Sequence, residues 1–221
     1  MFAQSARLSE GVHGDAFDAA RPGRFEAMPS KWDDYWILAI HRNPGWFDRL
    51  LGIDPIKEAA MRYRRRCNAP ANHCFYHGAP IPGFGQLYQG SLGHVTLTDK
   101  LIIVSHGDRT RIDALTYDEF GDLLQNAGLT RCGLLAIKAC QVGAGDYLNN
   151  LSVSLTGFIQ IGWLVGYKHS VITRSGGHEA TGFIDYVLQV FGGKLSDNHR
   201  VRVQRGNTYL GTNIGRRYTY A

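Results

Sequence analysis

"LIIVSHGDRT", residues 101–110, carries an apolar run that stops abruptly on Ser105, His106 and Gly107. The pattern returns in "GLLAIKACQVGAG", residues 133–145, where a second run ends on Ala139 and Cys140. Both runs are short, and the first is rich in β-branched residues, as a strand covered on both faces requires. Between them lies "LTYDEFGDLLQNAG", residues 115–128, with complete helix punctuation. Thr116 and Glu119 form a capping box, Leu115 can staple onto Phe120, and Gly128 supplies a stop. Phe120, Leu123, Leu124 and Ala127 make one apolar stripe. The stretch predicts a β-α-β unit with two parallel strands and a right-handed crossover.

Parallel strands bring their carboxyl ends to one edge of a sheet, where open α/β sheets bind ligands. Neighbouring strands lie about 4.8 Å apart. His106 and Cys140 each follow the last residues of a strand, so the pattern predicts an imidazole and a thiol in one cleft. An imidazole can take the proton of a thiol and later protonate a leaving amine. Gly107 lets the backbone approach a substrate carbonyl, and its N–H with that of Cys140 would form an oxyanion hole. A lone Cys at a strand end is ordinarily a small buried hydrophobe, and a lone His a satisfied polar residue. The paired runs and the flanking glycine favour the chemical reading.

Working outward, "YWILAIHRN" (35–43) predicts a buried strand. "DPIKEAAMRYRRRC" (54–67) predicts a helix capped by Asp54 with Pro55 in its first turn. "NHCFYHG" (72–78) and "GHVTL" (93–97) are short strand candidates, separated by the turn-rich "APIPGFGQ" (79–86). "DYLNNLSVSLTGF" (146–158) predicts a helix. "KHSVITRSGG" (168–177) predicts a strand ending in a Gly-rich loop at the reactive edge. "HEATGFIDYVLQVFGG" (178–193) predicts a helix with Phe183, Ile184, Val187, Leu188 and Phe191 inward. "VRVQRGNTYLG" (201–211) predicts a terminal hairpin. Residues 1–30 are polar, without periodicity, and are expected to form a flexible arm ahead of one domain over 31–221.

The chain has 221 residues, enough to bury a core without disulfide staples. Its 44% hydrophobic content is that of an ordinary globular protein. No run approaches the roughly 20 apolar residues of a membrane span, and no secretory leader is expected at the N-terminus. A cytoplasmic setting, or secretion by a leaderless route, is therefore expected. Four cysteines in a chain this long are no disulfide framework. Cys67, His73, Cys74 and His77 are poorly spaced for zinc, and Cys132 precedes its run, at the wrong edge for catalysis. "GAGDYLNN" lacks a phosphate-loop Lys. Neither metal nor cofactor is expected. The net charge of +5 is concentrated in Arg62, Arg64, Arg65 and Arg66 and in Arg202, Arg205, Arg216 and Arg217, where a solvated basic face is the ordinary reading. Scattered arginines make a poor nucleic-acid interface.

An apolar strand ending in His-Gly, followed by one ending in Ala-Cys, resembles the caspase-like cysteine peptidases. That group takes in caspases, legumains, gingipains and the self-processing domains of bacterial toxins. Ser105-His106-Gly107 and Ala139-Cys140-Gln141, with Gly143 close behind, carry the resemblance. It covers about residues 95–190. Lys138 stands where the caspase motif has Gln, and Val142 delays the glycine by one place, so a caspase-type acidic preference is not inherited.

The resemblance implies an α/β fold, a caspase-like three-layer sandwich with a mostly parallel central sheet. It implies a cysteine endopeptidase with His106 as general base, Cys140 as nucleophile, and Gly107 and Cys140 as oxyanion donors. Val171 to Arg174 with Ser175 corresponds to the segment that pairs with substrate, which puts Arg174 and Ser175 on the cleft wall. Asn43 is a candidate to orient His106, although an Asn before Pro44 more often forms a turn. Protein or peptide substrates, an effector or toxin setting, and an inositol polyphosphate bound by the arginines belong to the same expectation. Two rivals stay open: a Cys-His glutamine deamidase or acyltransferase, and a binding module on the same fold without catalysis.

Overall fold

The computed structural model describes residues 32–42, 54–173, 179–181 and 197–208. A seven-stranded sheet organises them. Its strands are β1 (Tyr35–His41), β2 (Cys74–Gly78), β3 (Gly85–Gln86), β4 (Lys100–Ser105), β5 (Arg131–Lys138), β6 (Gln160–Tyr167) and β9 (Val201–Arg205). They lie in the order β3-β2-β1-β4-β5-β6-β9, parallel throughout except for β9, which runs antiparallel to β6. A separate two-stranded sheet pairs β7 (Val171–Thr173) with β8 (Glu179–Thr181). The helices are α1 (Pro55–Cys67), α2 (Tyr117–Asn126), α3 (Tyr147–Ser154) and the single turn α4 (Asp197–Arg200).

Alternation along the strands sorts side chains between two faces. Ile37, Ala39, Ile102 and Val104 meet Ile56, Ala59, Ala60 and Tyr63 of α1 on one face. Leu38, Ile40, Leu101, Ile103, Leu135 and Ile137 meet Phe120 and Leu124 of α2 and Leu148 and Leu151 of α3 on the other. Burial is complete along β4, all six residues, because helices cover both faces. The protein is thus α/β, with a mostly parallel sheet between two layers of helix. Each fully buried Leu or Ile contributes about 1.5–3 kcal/mol, and β1, β4 and β5 hold nine of them.

The helix ends are built as their residues dictate. Asp54 caps α1 by accepting from the Lys57 N–H at 2.9 Å, and Arg64, Arg65 and Arg66 occupy its last turn, where the helix dipole favours cations. Thr116 and Glu119 close the capping box of α2 from both sides. Gly128 then takes φ +84, a left-handed conformation that ends the helix.

Four expectations need correction. Residues 93–97 form turns rather than a strand, because Asp99 gathers the local donors: Oδ2 accepts from the Thr96 N–H at 2.7 Å and Oδ1 from the Asp34 N–H at 3.1 Å. The two-residue β3 sits inside the "APIPGFGQ" turn region. "VIT" does not join the main sheet; "QIGWLVGY", passed over in the sequence, takes the place beside β5. Glu179–Thr181 is strand rather than helix. Residues 201–205 form the expected first strand, an edge strand on β6, after which Asn207 accepts from the Ile161 N–H at 2.8 Å. The expected arm over 1–30, most of the helix over 178–193 and the second half of the hairpin lie outside the described residues.

Candidate active site

Strand order alone marks a crevice. The chain leaves β1 toward β2 on one side and takes up β4 on the other, so the order reverses between β1 and β4. At such a reversal the connections after the two strands diverge and leave a gap at the carboxyl edge, the usual ligand position in open α/β sheets.

Register then sets which residues stand there. Ile40 lies opposite Ser105 in β1 and β4, and Val104 opposite Lys138 in β4 and β5. One step beyond the first pair come His41 and His106. Two steps beyond the second come His106 and Cys140. The three residues therefore form a row across neighbouring strand ends. His106 is exposed and Cys140 half-buried. Both line a cleft of about 80 Å³ between the strand ends and Pro55, Ile56, Ala59 and Tyr63 of α1.

The chain turns sharply after β5 to present Cys140. Gln141 takes φ 56, left-handed for a residue with a side chain, a conformation that costs of order 1–3 kcal/mol. It is held there from several directions. The Gln141 N–H donates to the His169 carbonyl at 3.3 Å, its Nε2 to Ser170 Oγ at 3.1 Å, and the Ala144 N–H to the Gln141 carbonyl at 2.9 Å. Gly143 presses on the backbone of Gly166, its N–H donating to the Tyr167 carbonyl at 2.8 Å. Arg202 on β9 braces the same loop by donating to the Gly145 carbonyl at 2.7 Å.

The loop after β4 is equally built. Asp108 accepts from the Thr110 and Arg111 N–H groups at 2.6 and 2.9 Å, and these bonds, the Thr110 backbone first, hold its carboxyl below the ordinary range. The Asp113 N–H returns to the His106 carbonyl at 2.9 Å, while Asp113 Oδ2 accepts from the Arg42 N–H at 3.2 Å. A Cβ on Gly107 would stand 2.9 Å from the Ala139 Cβ and 3.0 Å from the Arg111 carbonyl oxygen. Glycine is thus demanded by the packing of the two loops upon each other, a reason the sequence did not disclose.

Lys138 lines the cleft beside Cys140 and is buried. Its Nζ donates to Tyr167 Oη at 3.2 Å and lies 4.8 and 5.6 Å from the ring centroids of Tyr167 and Tyr63. His41 is fully buried, with its ring centroid 5.7 Å from that of His106 and Nε2 3.4 Å from Asp54 Oδ2. Sequence reading passed over this histidine. The signal was present: "YWILAIH" is a third apolar run ending in His.

The other expected residues separate. Arg174, Ser175 and Asn43 lie outside the described residues. Cys132 is the second residue of β5, at the amino edge, fully buried, and burial pushes its thiol up to about 12. Burial likewise raises Cys74 to about 11 and moves Cys67 upward. Among the described residues no group of three or more His, Cys, Asp or Glu side chains converges as metal ligands would. Of the basic residues, Arg216 and Arg217 lie outside the described residues. Arg64 donates to the Gly83 carbonyl at 2.7 Å at the end of α1, whereas Arg202 reaches Gly145 and Asn149 on the α3 side of the sheet. A larger hollow of about 450 Å³ lies at the amino edge, lined by Arg131, Phe158 and Asn207 among others, but its walls hold no thiol or imidazole.

No protein-family model matches the chain, and no curated protein matches it. Among solved structures it is similar to a secreted C11 cysteine protease from Bacteroides thetaiotaomicron, determined with an irreversible peptide inhibitor. That similarity has a TM-score of 0.35 and 10% identity over 62% of this chain. The chain spans about half of that protein, 49% of its length.

Proposed function

We propose that the protein is a cysteine peptidase in which Cys140 is the nucleophile and His106 its general base. One observation carries the reading: His106 and Cys140 follow neighbouring parallel strands at the same level and line one cleft with α1 at the carboxyl edge of the sheet. His106 takes the thiol proton, and the thiolate sulfur attacks a peptide carbonyl. The proton then passes to the departing amine, and water releases the acyl group from sulfur. The N–H groups of Gly107 and Cys140 receive the oxyanion in this scheme. Arg174 and Ser175 serve as the substrate-pairing wall, an assignment that rests on the resemblance to caspase-like peptidases alone. Substrates are proteins or peptides. No helix among the described residues is long and apolar enough to cross a membrane.

The test compares the protein with its Cys140→Ala and His106→Ala forms in a cell lysate, reading new protein N-termini. New termini should appear with the parent chain and vanish with both variants, a loss of at least about 1000-fold. A target left whole but with a glutamine converted to glutamate would move the site to amide hydrolysis. Termini that persist in Cys140→Ala would remove Cys140 from the reaction.

A further inference from the structure

We propose that His41 and Asp54 form a positioning pair that orients His106 and favours its protonated form; this rests on the role given to His106 above. His41 is fully buried, with 0% solvent exposure, yet it ends a strand otherwise made of Tyr, Trp, Ile, Leu and Ala. An apolar side chain would serve the core better there, since a buried imidazole costs free energy unless its nitrogens are used. Neither ring nitrogen makes a regular hydrogen bond. What the ring does have is two neighbours with chemistry. Nε2 lies 3.4 Å from Asp54 Oδ2, and the ring stands 5.7 Å from His106 at an interplanar angle of 52°.

Asp54 is well placed to hold this arrangement. Its Oδ1 caps α1 at the Lys57 N–H, which fixes the carboxylate while Oδ2 faces His41. Charged and titratable groups approach this corner from each surrounding element. They are Asp54 ahead of α1, His106 after β4, Lys138 and Cys140 at the end of β5 in the same cleft, His77 on β2, Arg42 next along β1, and Asp113, whose Oδ2 accepts from the Arg42 N–H. When His106 accepts the proton of Cys140 it becomes a cation beside His41. The Asp54 carboxylate, one ring further back, then lowers the energy of that charge. The transferred proton stays on His106 until the departing amine takes it, and does not move to His41. His41 sets the ring and Asp54 supplies the field, and neither takes part in the proton transfer.

The experiment follows the His106 ring by NMR titration in Cys140→Ala protein, alone and combined with Asp54→Asn or His41→Phe. Asn caps a helix about as well as Asp, so Asp54→Asn removes charge while keeping the start of α1. The His106 midpoint should fall by about half a pH unit or more in Asp54→Asn, with the melting temperature held. His41→Phe should lower it too and broaden the ring signal, and His41→Gln should restore part of both. A His106 midpoint unmoved in folded Asp54→Asn protein would overturn the proposal. The titration reads no peptide cleavage, so a protein that cuts nothing in the lysate test but shows the shift would sink the peptidase reading and leave this coupling standing.

Discussion

The two edges of the sheet hold similar ingredients and treat them oppositely. At the amino edge, Cys132 and Lys100 are sealed in: Cys132 is fully buried and Lys100 is 1% exposed. Turns close over them, with the Gly133 N–H donating to the Thr96 and Asp99 carbonyls and Asp99 drawing in Asp34 and Thr96. Burial, reinforced by the charge of Lys138, holds Lys100 down at about 7. At the carboxyl edge, Cys140 and His106 sit on loops that reach the surface, and two non-glycine residues there, Asp113 and Gln141, adopt left-handed backbone. A thiol and a base near a strand end are therefore not enough for chemistry. What separates the edges is that one closes its loops over the groups and the other spends backbone strain on presenting them.

The sharpest way to break this comparison is to read the thiols directly. With iodoacetamide at pH 8, Cys140 should alkylate within minutes while Cys132 reacts only after unfolding, as mass spectrometry of the labelled peptides would show. A thiol held up at about 12 is almost wholly protonated at that pH. Labelling of native Cys132 at a rate matching Cys140 would erase the distinction between the edges.

A smaller effect should come from paired glycines. A Cβ on Gly107 meets Ala139 and Arg111 at the open edge, and one on Gly133 meets Leu97 and the Trp32 ring at the closed edge. Gly107→Ala and Gly133→Ala should each cost about 1–3 kcal/mol by overpacking, measured by urea unfolding. Only Gly107→Ala should also slow the alkylation of Cys140. Equal reactivity in the two variants would show that the contact between the His106 and Cys140 loops is dispensable.

The smallest effect concerns pH. Lys100 binds fewer protons folded than unfolded between about pH 7 and 10.5, so its contribution to stability rises with pH through that window. The raised cysteines act oppositely, but only above about pH 9, where an unfolded thiol ionises and a buried one does not. From pH 7 to 9 the lysine should dominate this pair of effects. Lys100→Met should flatten the rise and raise the melting temperature at pH 7, with about 2–4 °C expected for each kcal/mol. An unchanged slope in Lys100→Met would mean that the ammonium reaches water.

Legibility in the sequence followed the same divide. The β4-α2-β5 unit could be read in full because local chemistry specifies it: Thr116, Glu119 and Gly128 are punctuation that works within a few residues. His106 and Cys140 could be singled out because each ends an apolar run. β6 was hidden because Gly162 and Gly166 interrupt its apolar pattern, and Gly166 is there for a partner distant in sequence, the Cys140 loop. "VIT" carries a stronger local strand signal, yet pairing across the sheet is decided by neighbours and not by propensity. His41 was missed for a related reason. Its meaning depends on Asp54 and His106, which tertiary structure alone brings to it.

The central position of β1 also bears on how the protein is made. β1 is nearly all apolar, and both of its edges are paired in the finished sheet, one by β2 and the other by β4. On a ribosome adding about 5–20 residues per second, β2 emerges well before β4, so the second edge of β1 stays uncovered for several seconds. During that time the nascent chain displays an unpaired hydrophobic strand edge, a template for pairing with another chain. Slowing synthesis between codons 79 and 99 should therefore lower the soluble yield, and a chaperone that shields extended apolar segments should recover it.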